Sequence, residues 1–158
     1  MKKIRKYIDA KHRDIALLAE AHEELLETAA YFVAGDECQL VYHFPLAEEF
    51  FIALVRDDDA RLKKMAATSQ SIPNGCRWLL FLCDHDDLSL ATLAEGEKKE
   101  LLDILDPERK LIFGVGGGVS TRLASAFKMD KTKINKAFSL LFKICKNQPN
   151  ASGYLLWR

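Results

Sequence analysis

The sequence predicts an α/β protein in which helices cover a parallel β-sheet. Three short and continuously apolar runs predict buried strands, and segments with the apolar spacing of helices alternate with them. The three runs span residues 15–19, 39–44 and 78–83. Because short apolar strands that alternate with helices are typical of parallel sheets, we expect the three strands to lie in one parallel sheet.

Each helix is predicted from apolar residues that recur on one face of the segment. The predicted helices span residues 2–12, 23–33, 46–56, 95–105 and 131–145. The apolar face of the first helix consists of Ile4, Tyr7 and Ile8. Gly35 ends the second helix and Pro45 ends the second strand. The helical pattern of the third segment continues past its end.

Composition bounds the class of protein. The chain has 158 residues, enough for one domain, and 49% of them are hydrophobic, which suffices for a folded core. Lys and Arg number 23, as do Asp and Glu, and the zero net charge argues against a dedicated nucleic-acid binder. No apolar run is long enough to span a bilayer, and the basic start at residues 1–6 lacks the apolar stretch of a signal peptide. We therefore expect a cytoplasmic protein without nucleic-acid or membrane partners.

Neither the cysteines nor the glycine-rich segment has the spacing of a metal or phosphate site. Cys38, Cys76, Cys83 and Cys145 lack the paired spacing of a zinc site, so the sequence predicts free thiols in a reducing compartment. The glycine-rich segment 114–118 lacks the ending of a phosphate-binding loop, and no clear strand precedes it. We expect a flexible loop there, and no metal or cofactor.

Polar side chains follow two of the three predicted strands. Glu20 and His22 come just after the first strand, and Asp84, His85 and Asp86 come after the third. Because active groups in parallel sheets lie at the carboxyl ends of strands, we expect both groups on one edge of the sheet. Glycoside hydrolysis requires a protonated carboxyl beside an ionised one, and a histidine there can bind sugar hydroxyls. The sequence therefore predicts Glu20 and Asp86 as a candidate catalytic pair.

Two other interpretations of these clusters stay open. A single carboxylate at a strand end is often a helix N-cap or a solvated loop residue rather than a catalytic group. The run Asp84, His85, Asp86 and Asp87 also offers oxygen and nitrogen ligands for a metal ion. Adjacent residues on a strand point to opposite faces, so four in a row rarely bind one ion, and no metal is expected.

Three segments, in their order and spacing, resemble a known family. They are LLAEAH (17–22), ECQLVYHFPL (37–46) and FLCDHDDLSL (81–90). Over residues 2–142 the chain resembles the α-amylase family of glycoside hydrolases, and it is most similar to the branch of trehalose synthases, maltose glucosyltransferases and α-glucosidases. The resemblance implies that residues 1–158 are a single fragment from the C-terminal part of a (β/α)8 TIM barrel. The fragment would hold about strands five to seven with their helices, and a remnant of strand eight.

The same resemblance implies a role for each candidate residue. Glu20 matches the acid/base of the family, Asp86 matches its transition-state-stabilising carboxylate, and His85 matches a substrate contact. Asp84 and His22 are further candidates for substrate binding. The family usually has asparagine where this chain has Asp84, and the added negative charge beside Asp86 disfavours ionisation of one of the two carboxyls.

The nucleophile of the family has no match in this chain. In the family it is an aspartate at the end of strand four, which would precede residue 1 here. Without it no glycosyl-enzyme forms, so the resemblance implies a truncated domain that acted ancestrally on α-glucosides and is inactive alone.

Two alternatives to an inactive remnant are kept. The chain is one half of a split glycosidase, completed by an N-terminal half-barrel on another chain, or it is a non-catalytic carbohydrate-binding or interaction module. The expected ligand is an α-glucoside or a maltodextrin-type carbohydrate. The open sheet edges of a partial barrel also invite self-association.

The tail at residues 143–158 diverges from the resemblance. Residues 153–158, with one choice of codons and a shift of one base, give Val-Ile-Tyr-Tyr-Gly-Asp, which resembles the eighth strand of the family. We therefore predict that the tail is a frameshifted remnant of that strand. The coding DNA tests this prediction, because other codons would not give this string.

Overall fold

A computed structural model describes residues 1–12, 14–82, 88–114 and 117–147, together with the backbone of residues 151–153. In these ranges the strands are β1 (Leu18–Ala19), β2 (Leu40–Tyr42), β3 (Arg77–Leu80), β4 (Ile112–Phe113), β5 (Gly118–Val119) and β6 (Ala151–Gly153). The helices are α1 (Lys2–Lys11), α2 (Leu25–Ala29), α3 (Phe44–Arg56), α4 (Ala60–Thr68), α5 (Glu95–Leu105), α6 (Leu123–Ala126) and α7 (Lys131–Asn147).

The main sheet consists of β1, β2, β3 and β6, which lie side by side in that order and are all parallel. Leu18 lies opposite Leu40, and Leu40 lies opposite Arg77. The predicted parallel sheet is confirmed. Because the four strands run in the same direction, their carboxyl ends lie along one edge of the sheet, here called the carboxyl edge.

The first strand is shorter than the apolar run that predicts it. Only Leu18 and Ala19 pair with β2, although the run begins at Ile15. Among the described strands β1 has a neighbour on one side only, and Ile15 and Leu18 are 47% and 42% exposed. The run therefore lacks the second neighbour that would bury it as an inner strand of a parallel sheet.

A buried arginine attaches α1 to the sheet. The helix forms where its apolar spacing predicts it, but Ile4 and Tyr7 are 52% and 65% exposed, and the residue that it buries is Arg5. The Arg5 guanidinium donates a hydrogen bond of 2.7 Å to the side-chain oxygen of Gln39. That oxygen also accepts the backbone N–H of Leu17 at 3.1 Å. The contact of α1 with the sheet is thus polar, and the apolar face of the helix is largely exposed.

α2 covers five residues instead of the predicted range 23–33. Leu26 and Val33 are 83% and 48% exposed, and Val33 has a φ of +49°. This left-handed backbone conformation is costly for a β-branched residue and does not continue a right-handed helix. The prediction of one helix up to residue 33 is therefore wrong.

α3 is buried from Phe44 to Leu54. Pro45, which the sequence predicts as the end of a strand, lies in the first turn of α3, where its missing N–H would have no partner. Asp57 has a left-handed φ of +57° and separates α3 from α4, so the helical pattern is interrupted there. The core lies where α3 meets the sheet and the buried sides of α5 and α7. Its residues exposed by at most 1% include Phe50, Trp78, Leu101 and Ala137.

The glycine-rich segment belongs to a hairpin. β4 precedes it and pairs in antiparallel orientation with β5, so the expectation that no strand precedes it is wrong. Gly114 and Gly117 have φ values of +69° and +70°, which glycine adopts at little cost. Val119 also pairs with Leu88, so the hairpin extends toward the chain that follows β3. Residues 115 and 116 lie outside the described ranges.

The tail adds a strand to the sheet. β6 lies within residues 143–158 and is parallel to β3, on the side opposite β2. The predicted remnant of strand eight begins at residue 153, so β6 overlaps it only at its last residue. The sequence pattern does not predict the short helix α6. No helix in the described part of the chain is long and apolar enough to span a membrane.

Candidate functional site at the carboxyl edge

Glu20 lies at the carboxyl edge of the sheet. It directly follows Ala19, the last residue of β1, and it is exposed whereas Ala19 is buried. None of the described residues forms a hydrogen bond or an ion pair with Glu20. An exposed carboxylate at a strand end is placed where a bound ligand of a parallel α/β sheet would meet it.

Four aromatic rings join the ends of three strands. The aromatic cluster consists of His22, which follows β1, Tyr42 and Phe44 at the end of β2, and Phe81, which follows β3. The His22 ring lies 3.6 Å from the Phe44 ring, and the Phe44 ring lies 4.9 Å from the Phe81 ring, between centroids. Tyr42 lies 5.3 Å from Phe81. The chain that carries Glu20 and the chain that leaves β3 are therefore close together.

The members of the aromatic cluster differ in exposure. Phe44 and Phe81 are 2% and 3% exposed, so they are core residues and cannot stack against a sugar. Tyr42 is half-buried and His22 is exposed. The His22 ring makes an edge contact with the Phe44 ring, and the side chain is otherwise exposed. His22 is therefore accessible to a ligand that binds beside Glu20.

Three of the predicted site residues lie outside the described residues. They are Asp84, His85 and Asp86, and Cys83 and Asp87 lie outside them as well. The described chain ends at Leu82 and resumes at Leu88. Glu20 and His22 are at the predicted edge, and the position of the second polar group relative to them stays a prediction.

A buried histidine begins α3. His43 is fully buried, and its Nδ1 accepts the backbone N–H of Leu46 at 3.2 Å. Its Nε2 lies 2.6 Å from the hydroxyl of Ser69, and its backbone N–H donates to the carbonyl of Leu79 at 3.0 Å. His43 thus joins β3, the first turn of α3 and the end of α4. The sequence signal is a polar residue just before a proline in the first helical turn, where an N-cap is expected.

The tautomer of His43 follows from its neighbours. The Ser69 hydroxyl donates to the carbonyl of Met65 at 2.8 Å, so it accepts a hydrogen bond from Nε2–H of His43. Nδ1 is then the acceptor for Leu46. Burial lowers the pKa of His43 to about 3, and the ring stays neutral at neutral pH. This histidine is a structural group of the fold and not an acid or base of the site.

Two buried glutamates lie in the first half of α3. Glu48 and Glu49 are 1% and 4% exposed. Glu49 pairs with Arg61 of α4 at 2.5 Å, and its second carboxyl oxygen has no hydrogen-bond partner among the described residues. Burial raises the pKa of Glu49, and the charge of Arg61 opposes this rise. The signal for both residues was an acidic pair inside an otherwise apolar helix.

The described residues hold no group of three or more His, Cys, Asp or Glu side chains that could bind one metal ion. Cys38 and Cys76 are buried free thiols, and burial raises the pKa of both. Thiols of this kind are weak nucleophiles and poor metal ligands at neutral pH.

Most of the chain is similar to trehalose synthases. No family model matches the sequence. The chain is 30% identical over 148 residues to the trehalose synthase/amylase of Mycolicibacterium smegmatis, with 91% of this chain and 25% of that protein covered. It is 30% identical over 145 residues to the trehalose synthase of Thermus thermophilus, with 91% of this chain and 15% of that protein covered. The chain therefore spans a quarter or less of the length of these two relatives.

A solved structure shares the fold of this chain. It is the crystal structure of sucrose 6F-phosphate phosphorylase from Thermoanaerobacter thermosaccharolyticum, with a TM-score of 0.67 and 19% sequence identity. The match covers 97% of this chain and 32% of that one. At this identity the likeness concerns the fold and not the activity.

Proposed function

We propose that this chain, a homologue of the trehalose synthases of the α-amylase family, carries one side of an α-glucoside site. The observation that carries the proposal is the exposed Glu20 at the carboxyl end of β1, a strand of a parallel sheet. The chain that forms this sheet is homologous to these enzymes over 91% of its length. In this proposal β1, β2 and β3 are strands five to seven of a (β/α)8 barrel, and β6, which lies next to β3, takes the place of strand eight.

Each residue of the site has a chemical role in the proposal. Glu20 donates a proton to the leaving glycosidic oxygen, and Asp86 keeps a negative charge near the cation-like sugar of the transition state. His85, Asp84 and His22 bind sugar hydroxyls. The exposed position of Glu20 and the placement of His22 against Phe44 support the first and last of these assignments.

The chain alone is proposed to bind an α-glucoside without turning it over. A retaining mechanism needs a nucleophile that forms the glycosyl-enzyme, and no residue of these 158 matches the nucleophile of the family. Binding needs fewer groups than turnover, because hydrogen bonds to a charged carboxylate contribute by themselves.

Titration of the purified chain with maltose and trehalose, followed by calorimetry and by an assay for released glucose, tests the proposal. We expect binding without turnover, and binding weakened by about tenfold in Glu20→Gln and in Asp86→Asn, since each loses a carboxyl oxygen that contacts a sugar hydroxyl. Glu27→Gln, an exposed glutamate of α2, is the matched control and should bind as the original chain does. Turnover by the isolated chain contradicts the missing nucleophile, and absence of sugar binding contradicts the site. Binding that neither substitution changes supports a non-catalytic binding module instead.

A second candidate, one half of a split glycosidase, is favoured by the exposed apolar residues on one side of the fold. Ile4 and Tyr7 of α1 and Ile15 and Leu18 at β1 are all more than 40% exposed. Ile15 and Leu18 lie at the edge strand of the sheet, where a complementary half-barrel would add its own strand. Co-expression with the N-terminal half-barrel of a trehalose synthase is the test. Turnover of maltose that requires Glu20 supports the split enzyme. If the two co-expressed chains do not associate, the split enzyme is contradicted.

A further inference from the structure

A buried carboxyl joins α3 to the segment that leads from the end of β3 to α5. Glu48 is 1% exposed, and its carboxyl faces residues 89–92. One oxygen accepts the Ser89 hydroxyl at 3.3 Å and the backbone N–H of Thr92 at 3.3 Å. The other oxygen accepts the Thr92 hydroxyl at 2.5 Å. One side chain of α3 therefore receives three donors from a segment more than 40 residues away in the chain.

Residues 88–93, here called the connecting segment, are also held by apolar packing and by the backbone pairing of Leu88 with Val119. Leu88, Leu90 and Leu93 are 1%, 0% and 7% exposed. The Ser89 hydroxyl also accepts the backbone N–H of Ala91 at 3.3 Å, which bends the segment around the carboxyl. The segment contains no helix, so the hydrogen bonds to Glu48 are its polar attachment to α3.

We propose that Glu48 is a proton-controlled latch, which holds the connecting segment against α3 when it is protonated and releases the segment when it is ionised. A protonated carboxyl is neutral and can stay buried: its O–H then donates to the Thr92 hydroxyl, and its carbonyl oxygen accepts the Ser89 hydroxyl and the N–H of Thr92. An ionised carboxyl gains free energy when the segment opens and water reaches it. The latch goes beyond the proposed sugar site and does not depend on it.

The surroundings of Glu48 support a proton exchange near neutral pH. Burial raises the pKa of Glu48 to about 7, and the hydrogen bonds from Thr92 and Ser89 lower it by less than burial raises it. On α3, α4 and α5, Arg56 and Arg61 pair with Glu49, Glu97 and Glu100. On α7, Lys136 pairs with Asp57, which follows the end of α3. The bonds to Glu48 itself come from uncharged donors.

The expected size of the effect follows from linkage. In the open state the carboxyl is hydrated and has its ordinary pKa of 4.5, whereas in the closed state its pKa is about 7. The closed state therefore holds the proton more tightly, and opening becomes easier as the pH rises between these values. From pH 5 to pH 8 the opening equilibrium of the segment should increase on the order of 100-fold.

Hydrogen exchange followed by mass spectrometry, on peptides that cover residues 88–93, measures this opening between pH 5 and pH 8. After correction for the intrinsic exchange rate, we expect an increase on the order of 100-fold in the original chain and none in Glu48→Gln, which keeps an acceptor and a donor but carries no charge. Glu49→Gln, the buried neighbour on the same helix, is the matched control and should keep the pH dependence. A flat profile in the original chain, or the same slope in Glu48→Gln, overturns the latch.

A direct titration keeps the proposal testable if Glu48→Gln does not fold. Carbon-detected NMR of the Glu48 carboxyl in the original chain should give a midpoint near pH 7. A midpoint at the ordinary pKa of a glutamate overturns the latch whatever the variants do.

Discussion

α1 and α3 form from the same kind of apolar periodicity, yet α1 is attached by polar contacts of Arg5 and Lys2, whereas α3 is buried along most of its length. α1 buries Arg5 and leaves Ile4 and Tyr7 more than half exposed, whereas α3 buries every residue from Phe44 to Leu54. α3 packs against β3, α4, α5 and α7, whereas α1 reaches the sheet through the hydrogen bond from Arg5 to Gln39, the residue before β2. Periodicity therefore predicts that a helix forms, and the neighbours of the helix decide what it buries.

Truncation of one aromatic residue in each helix should give the largest difference between them. Phe50 of α3 is 0% exposed, so Phe50→Ala leaves a cavity and should reduce the free energy of unfolding by about 3–5 kcal/mol. Tyr7→Ala on α1 removes a ring that is 65% exposed and should cost less than about 1 kcal/mol. Urea unfolding followed by circular dichroism measures both. Equal losses would mean that α1 is packed as tightly as α3.

Sequence periodicity predicts the elements whose bounds follow from local apolar spacing, and it fails where a backbone conformation or a distant strand decides the structure. α5 begins and ends at the predicted residues 95 and 105, and its apolar spacing places Leu101 and Leu105 on the face that is buried. The range 23–33 fails because Val33 adopts a left-handed conformation that no apolar pattern signals. β6 is three residues long and forms by pairing with β3, a contact that local spacing does not contain.

The candidate site shows the same limit. The position of Glu20 at a strand end follows from the order of strands alone. The hydrogen bonds of the buried polar groups cannot be predicted from the order of the strands. His43 bonds to Ser69, 26 residues away in the chain, and Glu48 bonds to Thr92, 44 residues away. A sequence shows that such residues are polar within apolar surroundings, and the tertiary contacts that satisfy them come from elsewhere in the chain.

The pH dependence of stability should separate the two buried groups of α3, with an effect of about 2 kcal/mol. The folded-state pKa of His43, about 3, lies below its ordinary 6.5, so its contribution to stability is lost as the pH falls below 6.5. The folded-state pKa of Glu48, about 7, lies above its ordinary 4.5, so its contribution is present at low pH and is lost as the pH rises toward 7. Between pH 6.5 and pH 4.5 the two contributions oppose each other.

Glu48→Gln removes one of the opposing contributions. The original chain should keep a nearly constant free energy of unfolding between pH 6.5 and pH 4.5, whereas Glu48→Gln should lose about 2 kcal/mol over the same range. Urea unfolding at three pH values measures this, with Glu27→Gln on the surface of α2 as the control. Parallel profiles for the original chain and Glu48→Gln would show that the buried carboxyl does not exchange its proton in this range.

The smallest effect is expected on the exposed side of α1, and it is informative because it is small. Ile4→Ser replaces an apolar residue that is 52% exposed by one of similar helix propensity, so the free energy of unfolding of the isolated chain should change by less than about 0.5 kcal/mol. If this side of α1 receives a complementary half-barrel, the same substitution should weaken co-purification of the two chains, because the side chain would be buried only in the complex. A loss above about 1 kcal/mol in the isolated chain would show that α1 already buries Ile4. Association of the two chains that Ile4→Ser leaves unchanged would place the contact at the edge of β1 instead, where Ile15 and Leu18 are the exposed apolar residues.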